Sequence, residues 1–105
     1  MKVAVASAST EESTREDIRE ELAPLFRVIC HDDPITTMEF VVDVLRAVFR
    51  LPQAAARSVM LEVHNSGAAL VGRYPESTAQ RRVDRATARA RANGFPLTFT
   101  IEPDG

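Results

Sequence analysis

Apolar positions recur along the chain with two distinct periods. Met38, Val41, Val42, Leu45, Val48 and Phe49 return at three- and four-residue steps, the spacing of a helix with one broad buried stripe. Thr36, with Glu39 three residues on, supplies a capping-box start for that helix. Leu51-Pro52 breaks it, and Pro52 suits the first turn of a second helix. There Ala56, Met60, Val63 and His64 share a face, and Asn65-Ser66-Gly67 is a stop signal. Leu97, Phe99 and Ile101 alternate with Thr98, Thr100 and Glu102, the two-residue period of a half-buried strand. The runs Leu25–His31 and Ala68–Tyr74 predict two further strands. Pro75 opens a third helix whose Ala79, Val83, Ala86 and Ala90 can lie close against a sheet, and Asn93-Gly94 ends it. The order β-α-α-β-α-β predicts an α+β fold, a two-layer sandwich with a three-stranded antiparallel sheet packed on three helices.

Residues 1–23 carry Ala, Ser, Thr and Glu but few large apolar groups, and are expected to form a flexible N-terminal extension with a transient helix near residues 16–22. Pro24 closes it, and residues 24–105 form the domain. A chain of 105 residues with 45% hydrophobic content suits one small globular unit and is too short for two. The formal net charge of -2 gives no overall field for nucleic acid or an anionic membrane. The arginines of residues 79–92 have no aromatic residues between them, which also argues against nucleic acid. One cysteine, Cys30, leaves no intrachain disulfide and no cysteine-based zinc cluster, and suits a reducing compartment. No stretch approaches the ~20 apolar residues of a membrane span. The expectation is a cytoplasmic monomer, with no cofactor and no metal.

Two segments carry candidate chemistry. His31-Asp32-Asp33-Pro34 places carboxylates beside an apolar helix start, and Met60-Leu61-Glu62-Val63-His64 places a thioether and an imidazole one helical turn apart. Together they supply acceptors for a cation with an oily slot alongside, which suits gripping the free amino end of a peptide better than breaking a bond. From the residues alone, plainer readings stay open. Met38, Val41, Met60 and Val63 at helical spacing are ordinary core positions. His64 favours the dipole at a helix end, and Asp32-Asp33 before proline is common turn chemistry. His31, Asp32, Asp33 and His64 could also be imagined as a hydrolytic metal site, but neither HExxH nor paired Cys/His spacing is present.

Four motifs, in order and at compatible spacing, resemble the ClpS family of bacterial adaptors for Clp AAA+ proteases. They are Asp32-Asp33…Thr36-Thr37-Met38-Glu39-Phe40-Val41-Val42, Met60-Leu61-Glu62-Val63-His64, Gly67-Ala68-Ala69-Leu70-Val71-Gly72-Arg73-Tyr74 and Asn93-Gly94-Phe95-Pro96-Leu97-Thr98-Phe99-Thr100. The resemblance implies a protease adaptor, not an enzyme, that binds the N-terminal residue of N-degron substrate proteins and hands them to the N-terminal domain of a Clp ATPase, ClpA or ClpC. It implies that His31, Asp32 and His64 hold the peptide's α-amino group, with His31 standing where the family typically has Asn. Thr36, Met38, Val41, Met60, Val63 and Leu97 are the implied apolar pocket, and Tyr74 and Arg82 the implied ATPase contact. The turn before Met38 reads as one residue longer than the family's Asp-Asp-x-Thr-Pro-Met. The competing reading is a docking module of related fold that ignores peptide termini, similar to the C-terminal domain of the ribosomal stalk protein.

Overall fold

A computed structural model describes residues 23–105; the expected extension, apart from Ala23, and the helix near residues 16–22 lie outside the described residues. The elements are β1 (Leu25–His31), α1 (Met38–Ala47), α2 (Gln53–Ser66), β2 (Ala68–Pro75), α3 (Glu76–Ala92) and β3 (Thr98–Pro103). The strands form one antiparallel sheet in the order β2-β1-β3, with Cys30 opposite Ala69 on one side and Phe99 on the other. The helices cover one face, giving the two-layer α+β sandwich that the periodicities predict.

Alternation along β1 sets what faces the helices. Val28 and Cys30 are fully buried, whereas Arg27, Ile29 and His31 lie on the other side of the pleat. Burial, together with the nearby negative charge of Asp32 and Asp33, pushes the Cys30 thiol up to about 12, so it behaves as a small core hydrophobe. From the helical layer, Val44 and Leu45 of α1, Ala56 and Val63 of α2, and Ala79, Ala86 and Ala90 of α3 complete the core. Ala79, Ala86 and Ala90 put little side-chain bulk between helix and sheet, and each of the three is fully buried. Phe40 packs on Phe95 with ring centroids 4.8 Å apart, and Phe49 lies 5.3 Å from Phe99 and 6.2 Å from Tyr74.

One local detail differs from the sequence reading and a second lies outside it. Thr37, not Thr36, caps α1: its side-chain oxygen accepts from the Phe40 N–H at 3.1 Å. The Thr36 hydroxyl is already committed, donating to Asp33 Oδ2 at 2.6 Å. The second detail is a bulge between Val28 and Ile29, where Val71 and Gly72 of β2 together span one residue of β1. It turns Gly72 and Tyr74 to the helical side, and a Cβ at Gly72 would come within 2.7 Å of the Tyr74 hydroxyl.

Candidate functional site

The acidic turn is built by Asp33. One of its carboxylate oxygens accepts the backbone N–H groups of Ile35 (2.9 Å) and Thr36 (2.7 Å), and the other accepts the Thr36 hydroxyl. Burial raises this carboxyl, but the Thr36 hydroxyl, the Thr36 and Ile35 N–H groups and the charge of Arg91 outweigh it, so Asp33 stands below its ordinary value. The turn therefore holds a persistent negative charge.

Across from it, α2 ends at Gly67 in the left-handed conformation (φ 89°), a backbone state glycine adopts without strain. Gly67 N–H returns to Val63 O at 2.9 Å, and Gly67 O accepts the Asp32 N–H at 2.9 Å. That second bond ties the end of β1 to the corner after α2 and sets Asp32 near His64. Between α1, α2 and the turn lies an open cleft of about 400 Å³. Asp32, Asp33 and His64 stand on it with the turn residues Pro34, Ile35, Thr36 and Thr37. Met38 and Val41 come from α1, Met60 and Val63 from α2. Val63 is 2% exposed and Met60 9%, so they line it as edges of the core, while Met38 is 44% exposed and free to rearrange at the rim.

Seven of the nine residues expected at the peptide site meet at this cleft: Asp32, His64, Thr36, Met38, Val41, Met60 and Val63. Two do not. His31 is on the outward side of β1, where its Nε2 lies 2.7 Å from the Thr100 hydroxyl of β3, away from the helical layer. Leu97 is 1% exposed and is a core side chain rather than a cleft wall. In the other direction, Asp33 stands on the cleft although the resemblance does not place it among the residues that hold the amino group. The signal that finds it is the parity of β1: with Val28 and Cys30 inward, His31 must point outward, and the first acidic groups able to reach the helical side follow it.

Tyr74 and Arg82 also come together, at the far end of β2. The Arg82 guanidinium carbon lies 5.0 Å from the Tyr74 ring centroid, and Nη1 donates to Phe49 O at 3.4 Å. Burial raises the Tyr74 phenol, with the positive charge of Arg82 pulling the other way. Six residue steps along β2 separate this pair from the cleft end, roughly 20 Å at strand rise. Among the described residues, no three His, Cys, Asp or Glu side chains group as a metal centre, and no helix is long and apolar enough to cross a membrane.

Comparison with known proteins follows the same outline. Residues 21–100 match the family described as ATP-dependent Clp protease adaptor protein ClpS. The chain belongs to the ClpS family. It is 45% identical over 96 residues to the ATP-dependent Clp protease adapter protein ClpS of Oleidesulfovibrio alaskensis, covering 86% of this chain and 92% of that one. The ClpS of Desulfatibacillum aliphaticivorans is 41% identical over 80 residues, 76% of this chain and 77% of its own. Among solved structures, Agrobacterium tumefaciens ClpS2 bound to L-phenylalaninamide superposes with a TM-score of 0.74 at 38% identity, over 77% of this chain and 98% of that chain. ClpS membership does not favour the stalk-like docking module.

Proposed function

We propose that this chain is a non-enzymatic adaptor that captures proteins by a large apolar or aromatic first residue and delivers them to a Clp AAA+ ATPase. The α-ammonium of the captured chain donates to the carboxylates of Asp32 and Asp33 and to the neutral His64 ring as a third acceptor. The first side chain fills the space between Met38, Val41, Met60 and Val63, with Thr36 at its edge. Counted back from Met38, the turn has the family's length after all: Thr36 takes the place of the family's Thr, and Asp32-Asp33 that of its Asn-Asp pair. His31 then has no part in binding, and an acidic residue stands where the family typically has an amide.

The observation that carries this reading is the cleft itself, with acid at its mouth and apolar walls behind. L-phenylalaninamide, the ligand of the Agrobacterium relative, offers one ammonium and one aromatic side chain, the two groups such a cleft suits. A charge-assisted hydrogen bond contributes about 1.5–3 kcal/mol and a buried Leu or Phe side chain a similar amount. Less the cost of association, the sum supports affinity on the order of micromolar. Tyr74 and Arg82 dock on the N-terminal domain of ClpA or ClpC, far enough along β2 to leave the cleft free, and the segment before Pro24 assists transfer. The protein works in this reading as a cytoplasmic monomer.

A peptide array varying only the first residue tests the assignment. Binding confined to Leu, Phe, Tyr and Trp supports it, and indifference to the first residue overturns it.

A further inference from the structure

A smaller hollow of about 260 Å³ adjoins the cleft, formed by Met38, Glu39, Val42, Arg57 and Met60. Met38 and Met60 line both spaces, so the two are separated only by the thickness of those side chains. We infer that this hollow is the subsite for the second side chain of the captured chain, and that it selects an apolar second residue. The inference rests on the proposed capture of a free amino end, because that contact fixes where the first residue lies.

Once ammonium and first side chain are seated, the next Cα lies 3.8 Å further on across a trans peptide bond. In an extended chain its side chain points away from the first, toward a neighbouring surface rather than into the same pocket. The adjoining hollow provides that surface. Its floor is apolar, with Val42 half-buried against the core and Met38 largely exposed. Its rim carries one charge of each sign, Glu39 and Arg57, so a charged second residue meets attraction and repulsion together and gains little. Apolar contact therefore decides the preference. Because Met38 is a wall of both spaces, a second residue pressing on it also reshapes the first pocket, and the preferences at the two positions become coupled.

The experiment is fluorescence anisotropy on the full chain with peptides that begin Phe-Leu or Phe-Ala and are otherwise identical, each with a free and an acetylated amine. The hollow is open, and burying the equivalent of little more than one of Leu's extra carbons predicts roughly fivefold tighter binding of the Phe-Leu peptide. Val42→Ala brings that ratio close to one while leaving the Phe-Ala affinity unchanged, and Arg57→Ser leaves the ratio as it was. Equal affinities with amine dependence intact overturn the subsite and leave the adaptor reading standing. Loss of amine dependence for both peptides overturns the adaptor reading and the subsite with it.

Discussion

Asp32 and Asp33 are neighbours with different tasks. Asp33 holds the turn through Thr36 and Ile35 while Oδ2, with one bond, keeps a lone pair for the cleft, whereas the Asp32 side chain is exposed there and only its backbone N–H is engaged. Asp32→Ala should cost at least about 1.5 kcal/mol of peptide affinity, a little over tenfold, with unfolding stability nearly unchanged. Asp33→Asn should be read in stability as well as in peptide affinity. The Asp33 carboxyl is depressed in the folded state, so its contribution is fully present above the unfolded value and is lost as pH falls through the lower folded value. Urea unfolding midpoints measured down to about pH 3 should fall less steeply in Asp33→Asn than in the unaltered protein. Leu97→Ala separates core from pocket: full burial predicts a loss of about 2–5 kcal/mol of stability with first-residue selectivity retained. At this scale the sequence was partly legible. Helical spacing alone makes Met38, Val41, Met60 and Val63 ordinary core positions, and it is the family resemblance that implies a shared pocket for them. Alternation along β1 turns His31 outward although it adjoins the acidic turn, and Leu97, although part of a motif, packs into the core.

Elements were more legible than residues, since each is specified by a pattern several residues long. The stripe of α1 and the alternation of β3 each bury one face only, and a shift of register would expose Val44 or Phe99. The stop at Gly67 was equally plain, because few other residues adopt φ 89° without strain. The start of α1 was less so. Thr36 and Thr37 are chemically alike, and only the competing bond from Thr36 to Asp33 leaves Thr37 to cap the helix. Thr37→Ala should therefore lower stability by about 1 kcal/mol, while Thr36→Ala loosens the acidic turn and shows first in peptide affinity. Thermal unfolding and peptide titration of the two variants check the distinction. The bulge in β2 had no pattern to announce it, although Gly72 beside Tyr74 was its one local hint.

Across the whole molecule, β2 joins two functional ends. Its first residue adjoins the Gly67 corner that positions Asp32, and its far end carries Tyr74 under Arg82. Removing Arg82 should leave peptide binding intact and abolish stimulated degradation by the Clp protease. The chain's single tyrosine gives an independent readout. Arg82 favours the phenolate, so Arg82→Ala should move the phenol's absorbance titration to still higher pH, whereas an Arg82 distant from the ring would leave it unmoved. The most direct test of the account is calorimetric titration at neutral pH with one Phe-initiated peptide in two forms, amine free and amine acetylated. Acetylation removes the charge and leaves the aromatic side chain. The account predicts a micromolar isotherm for the free form and none for the acetylated one; equal heats and affinities for both would contradict it.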